Sequence, residues 1–350
     1  MSELYDHSDH PPVTDFDEPS AVDTPYEDDA ADMLNTDSVG EGDTDAEATQ
    51  LWRTYAQDPG MSDGAQQQRS DILASVGHLN RPERVNMERI THFLDALDMH
   101  PVAEPLIIDS ADAPQVQRAM TVVGARDARL NPDEHTGIYK SDIGLAITFV
   151  GPANNGEAEL TTVHEYGVHG TSAGNHNIGF AMQHGGVLEG AFLEEGRAHL
   201  VETEYAQATG LILPDPIVPG ASPSIDKYRS RSHYNYAGRA WDLMIAHDPQ
   251  LLEPMLAASV GNEAYKEVAG RVDAIQPGLF DELTSMPHYT RGFDALIDNV
   301  HNFRLGLLTV SEALGIRPED INRVINEGAT TELIQQKLAV HSRQDPRIRW

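Results

Sequence analysis

One mostly apolar run, Ile143-Gly144-Leu145-Ala146-Ile147-Thr148-Phe149-Val150, limits what this chain can fold into more than any other stretch. Its aliphatic, β-branched and aromatic content reads as a strand, and Gly151-Pro152 stops it. Pro105-Leu106-Ile107-Ile108-Asp109 is a shorter apolar run and a second possible strand. The rest of the periodicity is helical. Ile72, Leu73, Val76 and Leu79, then Ile90, Leu94 and Leu97, recur at three- and four-residue spacing, with a break near Arg81-Pro82. After Glu157 the helical pattern dominates, with amphipathic spacing over 240–247, 251–260, 293–308 and 321–340. A strand-bearing region ahead of many helices implies an α+β fold with helix in excess. No internal repeat is evident.

Charge divides the chain before any motif does. Residues 1–50 hold sixteen Asp or Glu and neither Lys nor Arg, so half of the net charge of −32 sits in that segment. Such a stretch buries too little apolar surface to offset its conformational entropy and is expected to be disordered. It reads as a solubilising tail or as an arm that folds back on an electropositive cleft. Asp58-Pro59-Gly60-Met61-Ser62-Asp63-Gly64 is loop-like and sets the expected start of ordered structure near residue 65. The expected organisation is a tail over 1–64, a mainly helical region over 65–135 and a larger domain over 136–350.

The acidic balance argues against nucleic-acid binding and against docking on anionic lipid. No stretch of about 18 consecutive apolar residues is present, so no membrane span is expected. The opening MSELYDHSDH lacks the basic and apolar regions of a secretory signal, and a cytoplasmic location is the expectation. With no cysteine in the chain, any metal must be held by carboxylates and by the sixteen His.

Directly after the strand comes Val163-His164-Glu165-Tyr166-Gly167-Val168-His169-Gly170. Zinc-hydrolase helices place two His at i and i+4, with a Glu after the first. Here the second His falls at i+5. On an ideal helix that position lies about 140° round from i, against about 40° for i+4. Both imidazoles can face one ion only if a π-type turn absorbs the extra residue. Gly167, without a Cβ, suits such a turn. Further on, Phe192-Leu193-Glu194-Glu195-Gly196-Arg197-Ala198-His199-Leu200-Val201-Glu202 supplies carboxylates on a second expected helix. A catalytic zinc takes three protein ligands and leaves its fourth position to water, whose pKa it lowers to about 7. Glu165 adjoins a ligand without needing to be one, which suits a general base.

These two segments resemble the His-Glu-x-x-x-His zinc peptidases that include the microtubule-associated tyrosine carboxypeptidases and bacterial proteins with a QEGLA motif. The match covers about 140–206, with the same order of strand, His helix and Glu helix. The resemblance implies a zincin-like domain that binds Zn²⁺ through His164, His169 and Glu195 and acts on a peptide or protein substrate. A carboxypeptidase-like preference is implied by the resemblance alone. It also places the family's further Glu on Glu202, two helical turns from Glu195 and on the same face, where it could orient a ligand His. Two residues depart from the motif: Glu194 stands for Gln and Arg197 for Leu. Glu194 is therefore the alternative third ligand.

Two clusters are basic for so acidic a chain: Arg229-Ser230-Arg231-Ser232-His233-Tyr234-Asn235-Tyr236 and Pro287-His288-Tyr289-Thr290-Arg291-Gly292. Arg can hold a terminal carboxylate and Tyr can donate to an oxyanion, which makes Tyr289 and Arg291 the candidates for substrate contacts. The strand 143–150 is a candidate for pairing with an extended peptide. Two His and a carboxylate also form the facial triad of Fe(II) oxygenases, a class that has no use for a base at Glu165. A non-catalytic binding protein carrying a metal is the third reading.

Overall fold

The computed structural model describes residues 61–125, 129–132, 135–151, 155–172, 177–184, 187–211, 229–289 and 295–344. The acidic segment 1–50 lies outside them, as do Asn175, His176 and Arg291. Both apolar runs do form strands. β1 (Glu104–Asp109) pairs in parallel with β3 (Leu145–Val150), setting Leu106 opposite Ile147 and Ile108 opposite Phe149. The short strand β2 (Gly137–Lys140) runs antiparallel along the other side of β3. The order is β1-β3-β2, so β3 is central and has no open edge for a peptide; β2 is an outer strand. β1 and β3 lie on either side of residue 136, and their pairing joins both regions in one sheet.

Every residue of β3 is buried, which accounts for its nearly unbroken apolar text. Alternation along the strand separates two packing faces. Leu145, Ile147 and Phe149, with Leu106 and Ile108, pack against Ile72 and Val76 of α1 (Asp63–Val76) and Val116 and Met120 of α3 (Ala113–Val122). Ile107 and Val150 belong instead to the larger core, which also takes Ile90, Phe93 and Leu94 of α2 (Met87–Ala96). On that second face Thr148 Oγ1 lies 3.1 Å from Thr162 Oγ1 at the end of α4 (Asn155–Thr162). The sheet thus stands directly behind the helix that carries the His motif.

The C-terminal part is built on α5 (Ala191–Thr209) and α6 (Arg229–His247). Gly196 brings them into close contact, since a Cβ there would lie 2.7 Å from the Ala237 backbone. The buried Trp241 indole donates to the Leu193 carbonyl at 2.8 Å. His199 lies along the same seam, and a Cβ on Gly238 would come 3.0 Å from its Cδ2. Then follow α7 (Leu252–Ala257), α8 (Glu263–Ile275), α9 (Leu279–Thr284), α10 (Ala295–Ala313), α11 (Ile321–Asn326) and α12 (Thr330–Gln344). Phe303 of α10 meets Phe192 of α5 edge to face, with centroids 5.3 Å apart.

The connection between the two motif helices carries strands. It forms β4 (Asn177–Ile178), β5 (Ala181–His184) and β6 (Val187–Glu189), and β7 (His288–Tyr289) completes a four-stranded antiparallel sheet. The fold is α+β and rich in helix, with a small sheet ahead of the motif helix and a helical C-terminal part. Among the described residues no helix is long and apolar enough to cross a membrane.

Candidate metal centre

The extra residue between the two His is absorbed where they stand. α4 passes directly into a π-helical turn, Val163–Val168, followed by a 3₁₀ turn at His169–Thr171. Widening the helix by one residue per turn brings His164 and His169 to one side. Their rings meet edge to face with centroids 4.7 Å apart. Gly167 serves this turn by close approach: a Cβ would lie 3.0 Å from Leu94 Cδ2.

Glu195, one turn into α5, completes the group. Its Oε2 is 3.1 Å from His164 Nε2 and 3.5 Å from His169 Nε2. One ligand atom from each of His164, His169 and Glu195 lies within 4.8 Å of the others, and all three residues are buried. Tetrahedral zinc, with N and O ligands at about 2.0–2.2 Å, separates neighbouring donors by about 3.3–3.5 Å. The separation to His169 falls in that range and the one to His164 is slightly shorter, and the group could hold a metal ion.

The remaining imidazole nitrogens are already engaged. His164 Nδ1 is 3.3 Å from Glu202 Oε2, and His169 Nδ1 is 2.8 Å from Glu194 Oε1. An acceptor on Nδ1 fixes the ring and leaves Nε2 with a lone pair for an ion. Glu194 and Glu195 therefore take different places. Successive helical residues point about 100° apart, and only Glu195 faces the two Nε2 atoms. Glu194 turns away to Arg197, at 2.8 Å, so the two departures from the family motif contact each other.

Charge in the cluster is strongly coupled. Burial alone would lower the His169 pKa, but the Glu195 charge and hydrogen bonds to Glu194 and Glu195 outweigh it and raise it to about 9. His164 is likewise held well above its ordinary value, against burial, by hydrogen bonds to Glu195 and Glu202. Glu195 is held well below the carboxylate range, against burial, by the His169 charge and its hydrogen bond to His164. An ion must therefore displace at least one proton below the His169 pKa of about 9. Zinc affinity is expected to fall about tenfold per pH unit for each displaced proton, hence at least about 100-fold between pH 8 and pH 6. Competition titration with a chromophoric chelator at each pH measures this, and a flat profile would contradict proton displacement from the cluster.

Glu165 sits inside the π turn and is partly buried. Burial raises its pKa, with the Glu195 and Glu202 charges adding and the His164 and His169 charges opposing. β2 supplies the room it needs, because a Cβ on Gly137 would lie 2.8 Å from Glu165 Cγ. Next along β2, Tyr139 stacks over His169 with centroids 6.3 Å apart and donates its hydroxyl to the Ser172 carbonyl.

The basic clusters contribute differently from expectation. Tyr234 stacks on His164, with centroids 5.9 Å apart. His288 packs against Tyr234 and His233, is buried, and has no hydrogen-bond partner for either ring nitrogen among the described residues. Tyr289 follows it on β7, and strand alternation turns Tyr289 outward to 36% exposure. Its hydrogen bonds are backbone ones to Asn299, and no described contact joins its side chain to the metal group. Of the sequence's two substrate-contact candidates, then, Tyr289 is not brought to the group and Arg291 is not among the described residues. No sequence signal singles out Tyr139; Tyr234 and His288 stand in the two basic clusters, but only the fold selects them from their neighbours.

Comparison of the chain with protein-family models, with characterised proteins and with solved structures found no match.

Proposed function

We propose that this protein is a zinc-dependent peptidase, with His164, His169 and Glu195 as ligands and Glu165 as general base. The observation that carries the reading is the convergence of both Nε2 atoms on Glu195 Oε2, with each Nδ1 held by an outer carboxylate. Two imidazoles and a carboxylate, with no sulfur, form the ligand set of hydrolytic zinc. The resemblance of the His164–His169 and Glu194–Ala198 segments to zinc peptidases points the same way. Zinc bound there would supply a Lewis acid and an acidified water.

The chain's own residues would do the rest. Glu165, its basicity raised by burial, would collect the water proton on a carboxylate oxygen and return it to the leaving amine. β2 runs past both Glu165 and His169, so its outer edge is the place for an extended peptide to lie. Tyr234, whose ring stacks on His164, would be the residue to donate to a developing oxyanion. A carboxypeptidase-like preference rests on the resemblance.

Digestion of a peptide library before and after chelation tests the reading. Cleavage should vanish with the chelator and return with one equivalent of zinc. Cleavage that survives metal removal, or returns only with iron and oxygen, would contradict it.

A further inference from the structure

Of the buried ionisable groups around the centre, Arg197 has no part in the chemistry proposed above, and Glu194 enters it only as the acceptor on His169 Nδ1. Both side chains are fully buried and lie 2.8 Å apart at i and i+3 on α5. Removing two charges from water is costly, and apolar residues of similar volume usually serve stability as well or better. Their arrangement gives them a different use. Glu194 Oε1 accepts from Arg197 Nη2 and from His169 Nδ1, each at 2.8 Å. Its Oε2 accepts the Phe180 backbone N–H at 3.1 Å.

Arg197 is anchored in turn. Nη1 donates to the Ala258 carbonyl at 2.9 Å, and the guanidinium lies over the Phe180 ring, 5.5 Å from its centroid. Ala258 is the first residue after α7, where the chain leaves the helix and its carbonyl becomes available. Gly179 closes the cage. Its φ of +51° is a left-handed conformation, and any Cβ there would overlap both Glu194 Oε2 and Arg197 Nη2. Every contact of the carboxylate is thus fixed except the one it imposes on the His169 ring.

We propose that Arg197 and Glu194 act as one positioning unit for the metal ligand His169. Arg197 holds the Glu194 carboxylate, and Glu194 holds His169 with its proton on Nδ1 and Nε2 turned to the ion. Arg197 touches no ligand, yet it sets metal affinity. This proposal rests on the metal centre and not on the peptidase activity.

Three variants test it: Glu194→Gln, Arg197→Met and the double change. Zinc Kd is read by chelator competition, and the ligand field by the visible spectrum of the cobalt-substituted protein. Each single change leaves one buried charge unmatched and should weaken zinc about 10–100-fold with an altered cobalt spectrum. In the double variant a neutral amide oxygen can still accept from Nδ1 without a guanidinium, so zinc affinity should recover to within about tenfold of wild type. Wild-type Kd and spectra in all three would overturn the proposal, as would strictly additive losses. A second measurement needs no variant: in the zinc-loaded wild type, the His169 Nδ1 proton should be downfield-shifted and slow to exchange. A labile or absent Nδ1 proton would overturn the proposal. Failure of the wild type to bind zinc would overturn the metal centre and the proposal together.

Discussion

Exchanging Glu195 for Gln is expected to weaken zinc binding by about 10²–10³-fold while leaving the fold intact. The change is nearly isosteric and keeps the packing of α5 against the His turn, so the effect isolates the anionic ligand. Four-ligand zinc sites bind with about 10–16 kcal/mol in all, which is roughly 2.5–4 kcal/mol for each ligand. At 1.4 kcal/mol per decade this gives the stated range. The same exchange at Glu194 acts only through His169 and should cost about 10–100-fold. Isothermal titration of the two variants side by side separates their roles. Equal losses, or a larger loss at Glu194, would contradict the assignment of Glu195 as the third ligand.

Glu165→Gln carries the second large effect. The amide preserves volume beside Gly137 but cannot collect a proton, so kcat should fall about 10²–10⁴-fold. Zinc content should stay at the wild-type level, because Glu165 is not one of the three converging donors. The two variants therefore dissociate metal from chemistry in opposite directions. A Glu165→Gln protein that retains full activity would contradict a base at this position, and one that loses its zinc would make Glu165 a ligand.

The sequence exposed most of what depends on local pattern. The buried strands β1 and β3 announced themselves as apolar runs because both faces are covered. The i+5 spacing of His164 and His169 required a widened helix, and the π turn supplies it. Other features depend on contacts that no local pattern records. β2 and β4 to β7 are two to four residues long, too short for a period of two to stand out. The stretch 321–340 reads as one amphipathic helix but divides into α11 and α12 around Gly328, and 251–260 stops being helical at Ala257.

At the site, Glu194 and Glu195 are equivalent in composition and differ only in direction. That difference is settled by Arg197 and by the turn at Gly179, fifteen residues upstream of Glu194 in the chain. Tyr289 looked suitable by residue type, yet the strand pleat turns it outward while its neighbour His288 is buried. Tyr234 lies seventy residues beyond His164 and reaches it only because α6 packs on α5 through Gly196.

X-ray absorption of the zinc-loaded protein tests the central claim most directly, since it reads the donors themselves. One zinc per chain should show two imidazoles with oxygen completing a four-coordinate shell at about 2.0–2.1 Å, and the Glu195→Gln variant should lose that signature at equal zinc concentration. An all-oxygen shell, a third imidazole, or a wild-type spectrum unchanged in Glu195→Gln would contradict it.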